Sequence, residues 1–329
     1  MNTSPSVVGK YVVIRPGALG DALIAFPALA LVRCELPEAH VTLVARRDVL
    51  AVTRSSGLAD GTCDYDDPAW SALFAAKPHP VGHAYETVAG SRVVAWLADP
   101  DRLVANNLDA FGARQAIVAV ARPAPDSGAH AALLLARSLA PLGITPPASL
   151  QDLPPPPLLP RADDVVCADA VWRALGLPDD SPVVALHSGS GGAAKRWPPE
   201  RFAQLARMVA EAGVRPLLIE GPQDAAVTAR VVAACSPMAP PVARDLGVGA
   251  LAALLRRCAA YVGNDSGVSH LAGLAGVATL ALFGPTDPAL WAPLGPRVRV
   301  LRSPAKQVDD LQAGDVAKLA LALVQSLGH

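Results

Sequence analysis

Short β-branched runs alternate with apolar helical segments along almost the whole chain, and this alternation constrains the fold more than any single motif. Tyr11–Arg15 reads as a buried strand. Pro16-Gly17-Ala18-Leu19-Gly20 breaks it, an apolar helix runs on to about Cys34, and Val41–Ala45 is a second strand. A strand–turn–helix–strand order cannot be closed by a hairpin; it needs a crossover and therefore a parallel sheet. Pro27 either kinks the helix or starts its main body, because a proline ring removes one N–H and crowds the preceding turn. Arg92–Leu97 and Gln115–Val120 read as further strands and Ala129–Leu142 as helix, while residues 60–90 show no clear period.

Leu153–Pro160 reads LPPPPLLP. Four consecutive prolines exclude helix and central strand and favour a stiff polyproline segment. Beyond it the rhythm resumes. A helix over 163–175 precedes the strand Val183–His187, a Gly/Ser loop and a helix Pro199–Ala212 with Gly213 just past its end. Strand Val214–Glu220, helix 249–258, strand Tyr261–Gly263, helix 268–275, strand Val277–Phe283 and an amphipathic helix 314–327 follow. The expected organisation is a first domain over 1–153, a proline-rich linker over 154–162, a second domain over 163–313 and a terminal segment over 314–329. Open parallel sheets bind ligands at the carboxyl ends of their strands, so two such domains on a stiff linker should enclose a cleft.

The 329 residues exceed what one core usually absorbs, and 52% hydrophobic with 17% charged residues excludes a disordered chain. Aromatics are only 4%, so the cores are built from Ala, Val and Leu. Formal net charge is −1, with 12 basic and 13 acidic side chains in residues 1–150 and 16 of each in 151–329, which argues against a nucleic-acid partner. No polar-free stretch of about 18 residues exists to span a membrane. Lys10, Arg15 and Asp21 stand where a signal peptide needs an apolar run. The five cysteines, Cys34, Cys63, Cys167, Cys235 and Cys258, are widely spaced without a CxxC pair, which reads as reduced thiols in a cytosolic protein with no zinc site.

Three loops at strand ends have the chemistry of a site. The first, Arg15-Pro16-Gly17-Ala18-Leu19-Gly20-Asp21, lacks both the GxGxxG dinucleotide spacing and the Gly-Lys-Ser/Thr of a P-loop. Spacing alone favours Asp21 as a helix N-cap; the competing reading is a carboxylate facing the cleft as general base, with Gly17 and Gly20 shaping its loop. The second runs from His187 through Ser188, Ser190, Gly191 and Lys195 to Arg196-Trp197. Its small residues let backbone N–H groups approach a phosphate, and Lys195 would bring a point charge to a diphosphate. In a chain with only five lysines against 23 arginines, a lysine beside Arg196 is unlike a random solvated end. The third, Gly263-Asn264-Asp265-Ser266-Gly267-Val268-Ser269-His270, enters a helix whose open N-terminus suits an anion. Taken singly, Asp265 and Ser266 read as caps and His270 as a satisfied core histidine. Two anion-suited loops in one half and an acid in the other are jointly better explained by a diphosphate leaving-group site. Asp64-Tyr65-Asp66 matches a short metal-binding DxD pattern, but such triplets arise by chance and a solvated acidic turn is the better reading.

Val13–Arg33, Lys195–Phe202 (KRWPPERF) and Val262–Pro288 (VGNDSGVSHLAGLAGVATLALFGPTDP) together resemble glycosyltransferase family 9, the ADP-heptose:lipopolysaccharide heptosyltransferases. Residues 50–150 match poorly. The resemblance implies a GT-B fold: an α/β protein of two Rossmann-like domains with parallel sheets facing across a cleft, the first for the acceptor and the second for the nucleotide sugar, with the terminal helix crossing back to the first. It implies an inverting, metal-independent transferase with no cofactor. The donor would be a nucleotide diphosphate sugar, ADP-linked and of heptose type, and the acceptor a hydroxyl of lipopolysaccharide or another cell-surface glycan or glycolipid. Asp21 matches the family's catalytic base and Lys195 its phosphate-binding lysine. Ser188, Ser190 and Gly191 fall in the phosphate loop, and Asp265, Ser266, Gly267 and His270 match its D-[ST]-G-x-x-H nucleotide and diphosphate motif. A cytoplasmic location is implied, with at most peripheral contact at the inner face of the inner membrane. Residues 1–150 sum to −1, whereas a phosphorylated acceptor calls for a basic surface; a local patch such as Arg46-Arg47 could supply it. A non-catalytic nucleotide-sugar binder, and an epimerase or hydrolase on the same fold, are the alternatives.

Overall fold

The computed structural model describes residues 9–124, 126–156 and 158–326. The start of the expected first domain, Pro157 of the expected linker and residue 327 of the expected last helix lie outside these. The chain divides into two compact units, Met1–Pro157 and Leu158–His329.

The first unit carries a five-stranded sheet of β1 (Lys10–Arg15), β2 (His40–Ala45), β3 (Gly61–Asp64), β4 (Arg92–Trp96) and β5 (Gln115–Ala119), all parallel in the order β3-β2-β1-β4-β5. β1 is central, and Val12, Val13 and Ile14 are buried with Val44, Val93 and Ala95 of its neighbours. That is why its run is continuously apolar rather than alternating. The expected single helix after β1 is two. Leu19–Leu23 ends at Ile24, and Phe26–Glu35 begins with Pro27 in its first turn, where the missing N–H has no intrahelical partner to lose. The helix expected over 129–142 is also divided, into Ala131–Arg137 and a 3₁₀ turn Ala140–Leu142. The region without a clear period holds β3, the 3₁₀ turn Pro68–Phe74 and the helix Gly82–Val88. Trp70 and Leu73 of that turn are buried against Leu108 and Phe111 of the same core, so it is organised by tertiary contact rather than by periodicity.

The second unit carries β6 (Val183–His187), β7 (Arg215–Ile219), β8 (Val242–Ala243), β9 (Ala260–Asn264), β10 (Thr279–Phe283) and β11 (Val298–Arg302), parallel in the order β11-β10-β9-β6-β7-β8. Counted from β6 this is 3-2-1-4-5-6, the Rossmann order, and the first sheet has the same order without a sixth strand. In each sheet the chain reverses its direction of build beside the first strand: between β1 and β4, and between β6 and β9. The core is aliphatic, with Trp197 and Phe202 edge-to-face at 4.9 Å as its large aromatic pair. Trp197 is fully buried and donates its Nε1–H to Leu311 O at 3.0 Å.

The last helix, Ala313–Gln325, buries Val316, Ala317, Ala320 and Leu323 in this same core, beside Phe202 and Leu205 of the helix Pro199–Glu211. Its apolar face is thus occupied within the second unit. No helix of the described residues is long and apolar enough to cross a membrane.

Candidate functional site

β6 and β9 are neighbours at the reversal point of the second sheet, with His187 opposite Gly263. The loops leaving their carboxyl ends are therefore side by side, and hydrogen bonds tie them together. Asn264, fully buried at the end of β9, donates Nδ2–H to Ser188 O at 2.9 Å and accepts the Trp197 N–H at 3.0 Å. It thereby clamps both ends of the 188–197 loop. Ser190 Oγ donates to Asp265 O at 2.8 Å, and Arg196 Nε to Ser190 O at 2.8 Å. Lys195 Nζ lies 2.7 Å from Asp265 Oδ2, an ion pair by distance without hydrogen-bond geometry. The lysine is 36% exposed and the aspartate 8%, so the ammonium is the solvent-facing half of the pair. Gly191 meets nothing within 4 Å on its Cβ side, leaving the loop's outer surface open.

Ser266 is the N-cap of the helix Gly267–Leu274 by backbone conformation, yet its hydroxyl makes no capping bond. Neither Asp265 nor Ser266 acts as the expected side-chain cap. The side-chain cap is missing; the Ser269 N–H turns back to Ser266 O at 3.1 Å, so the positions where the helix end could meet an anion are the N–H groups of Gly267 and Val268. His270, one turn in, is buried and has partners of its own. Around this turn lie residues not assigned to the site from sequence. His187 is buried, with Nε2 3.0 Å from Asp224 Oδ2 and Nδ1 3.3 Å from Ser266 Oγ. The His187 hydrogen bond holds the Asp224 carboxyl below the usual carboxylate range. Tyr261 is buried beneath the helix with its OH 3.1 Å from Ser269 Oγ, and burial pushes its phenol pKa up. His187 and Asn264 are detectable in principle as polar residues closing otherwise apolar strands. Asp224 is not, since only the register of β6 with β7 brings its loop there.

In the first unit Asp21 lies two residues inside the helix Leu19–Leu23, whose N-cap is Ala18. The cap favoured by spacing is replaced by a carboxylate free of backbone duty. Its Oδ1 is 3.8 Å from a guanidinium nitrogen of Arg15 and its Oδ2 3.5 Å from one of Arg122, with the side chain 20% exposed. Arg15, the last residue of β1, is buried and anchors the turn by donating Nε–H to Asp21 O at 2.8 Å. Burial lowers the Arg15 pKa, opposed by the Asp21 carboxylate and aided by Arg122. A Cβ on Gly17 would come within 2.8 Å of Asp21 Cβ, so the small residue is needed where it stands; Gly20 forms the helix's first turn with it.

The DxD triplet is an acidic turn at the end of β3. The Asp66 N–H donates to Asp64 Oδ1 at 3.1 Å, Arg47 Nε reaches Asp64 Oδ2 at 3.1 Å, and Arg46 Nε is 3.9 Å from Asp66 Oδ2. The basic patch and the acidic triplet therefore face each other, through exposed pairs of small energetic weight. Among the described residues no group of three His, Cys, Asp or Glu is placed to hold a metal ion.

Rossmann-ordered sheets whose reversal-point loops present glycines, a lysine and an uncapped helix end define an α/β protein with the donors to suit an anion at strand carboxyl ends. Residues 173–320 match the profile of glycosyltransferase family 9 (heptosyltransferase). Lipopolysaccharide heptosyltransferase 2 of Salmonella typhimurium is 29% identical over 163 residues, 46% of this chain and 45% of that protein. Its Escherichia coli counterpart is 29% identical over 158 residues, again 45% of its length, so the chain spans about half the length of the curated relatives it matches. The crystal structure of a glycosyl transferase family 9 protein from Veillonella parvula covers 99% of this chain and 100% of its own, at TM-score 0.79 and 22% identity. That of E. coli ADP-heptose LPS heptosyltransferase II covers 97% and 100%, at 0.72 and 18%. At those identities the likeness is one of fold, and the fold is the two-domain Rossmann-like GT-B type.

Proposed function

We propose that this chain is a glycosyltransferase that moves a heptose-type sugar from an ADP-linked donor to a hydroxyl of a lipopolysaccharide or related cell-surface glycan. The observation that carries the reading is the convergence of Lys195, the open helix end after Ser266 and the glycine-rich 188–192 loop at one reversal point. Lysine and helix N–H groups stabilise the negative charge that builds on a departing diphosphate. In this reading Asp21 takes the proton of the acceptor hydroxyl. The acceptor oxygen bonds to the anomeric carbon from the face opposite the nucleotide, the carbon–oxygen bond to the diphosphate breaks, and its electron pair leaves with the phosphate oxygen. The product is inverted, and Lys195 with the helix end does the work that a metal does in other transferases. The names of the matched relatives and the matched segment support the donor and acceptor classes. The same reading keeps the protein on the cytoplasmic side, with at most peripheral contact at the inner membrane.

A thermal-shift panel of ADP-, GDP-, UDP- and dTDP-sugars tests the donor. A ligand at ~100 times its Kd adds ~2.7 kcal/mol, which is easily seen, and the expected response is to ADP-sugars. Turnover is then measured with and without acceptor. Donor consumed without acceptor marks an epimerase or hydrolase instead. Asp21→Ala should keep nucleotide affinity and lose turnover by about 10²–10⁴-fold; undiminished turnover removes Asp21 from the mechanism.

A further inference from the structure

We propose that His187 and Asp224 are positioning residues that hold the Ser266 hydroxyl away from the helix it begins, keeping that helix's first N–H groups open for the donor diphosphate. The inference rests on the reading of this turn as the diphosphate site. A serine at an N-cap ordinarily turns its oxygen back to accept the second or third helical N–H. Ser266 has the backbone for this, extended at φ −154° and ψ 163°. Its Oγ nevertheless lies 3.3 Å from His187 Nδ1 and 3.4 Å from Ser269 Oγ.

The direction of each hydrogen bond follows from what its partner can do. Ser269 Oγ donates its single hydrogen to Asn264 O at 2.5 Å and therefore has none for Ser266. Asp224 Oδ2 accepts both the Gly221 N–H at 3.1 Å and the hydrogen on His187 Nε2 at 3.0 Å. With that hydrogen on Nε2, the tautomer that suits both contacts has its lone pair at Nδ1, where the Ser266 hydroxyl donates. Asp224 thus sets the imidazole tautomer, and the imidazole sets the Ser266 rotamer. Room for the carboxylate is made by Gly189, where a Cβ would lie 2.1 Å from Asp224 Oδ1. Remove the acceptor at Nδ1, and the Ser266 hydroxyl is released to turn back to its own helix N–H groups, the ones an anion would otherwise take, with the Tyr261 hydroxyl the other partner in reach.

Two amide substitutions separate this role from a merely structural one. Glutamine at 187 reaches the Nε2 position toward Asp224 and leaves Ser266 without an acceptor; asparagine places its amide oxygen near Nδ1. Isothermal titration of the full chain with inorganic pyrophosphate and with ADP is run in the parent and in a Ser266→Ala background. His187→Gln should weaken binding about fivefold in the parent, the affinity equivalent of one serine cap, and less than twofold in the Ser266→Ala background. His187→Asn should recover most of the loss. His187→Leu follows the same background dependence and replaces the glutamine variant should that one not fold. Equal losses in both backgrounds, or asparagine no better than glutamine, overturn the proposal while leaving the diphosphate site standing. Failure of the parent to bind either probe overturns the site reading and this inference with it.

Discussion

Gly189→Ala tests how tightly the site is built into the second unit. Gly189 has no left-handed backbone angle, so alanine can adopt its conformation and the effect is one of space. The added Cβ would lie 2.1 Å from Asp224 Oδ1, 2.3 Å from Cγ and 2.4 Å from Oδ2, and a second wall, Gly221, stands close to the same carboxylate. Asp224 has to leave, and with it go the bonds it accepts from His187 and from the Gly221 N–H. A hydrogen bond to a charged group contributes about 1.5–3 kcal/mol, and the imidazole left behind is buried. A loss of about 2–3 kcal/mol is expected. For a unit of this size that lowers Tm by about 4–12 °C. The assay is thermal unfolding by circular dichroism, with urea unfolding as an independent measure. In an Asp224→Ala background the clash partner is gone, and Gly189→Ala should then cost less than about 0.5 kcal/mol, because residues in contact are not additive. A cost below about 0.5 kcal/mol in the parent, or an undiminished cost in the Asp224→Ala background, refutes the account.

Lys195→Ala should weaken ADP binding by about 10–100-fold, since it removes a charge-assisted contact and leaves the buried Asp265 carboxylate facing the anion; Lys195→Arg, measured by the same titration, should recover part of it. Asp224 also gives the stability a pH dependence. Its folded pKa is depressed, so the contribution is present above the unfolded value of about 3.9 and is lost as pH falls through the lower folded value. Urea midpoints compared between pH 6 and pH 3 should fall further for the parent than for Asp224→Asn. Thiol reactivity follows burial: in native protein at pH 8, iodoacetamide with mass-spectrometric readout should modify the exposed Cys34 and Cys167. The buried Cys258, whose pKa is pushed up to about 12, should stay unmodified until the protein unfolds.

The chain by itself determined the parallel α/β class, most of the strands and the three loops. Each of these is a local matter: an apolar run of strand length, a Pro or Gly that stops it, and a helix pattern that follows. Val183–His187 was legible to the residue, because both faces of a central parallel strand are buried and its boundaries coincide with the apolar run. Tertiary structure alone decided the rest. The 3₁₀ turn Pro68–Phe74 and β3 have no period of their own and are held by the core they meet. The last helix shows an apolar face in sequence, but only packing showed that the face lies in its own unit. Asp21 and Ser266 each carry a side chain suited to capping. Neither caps: Asp21 lies inside its helix beside Arg15 and Arg122, and the Ser266 hydroxyl lies beside His187, which is itself held to Asp224. A hydrogen-bond partner is a matter of distance in space, and the order of strands, not the order of residues, sets that distance.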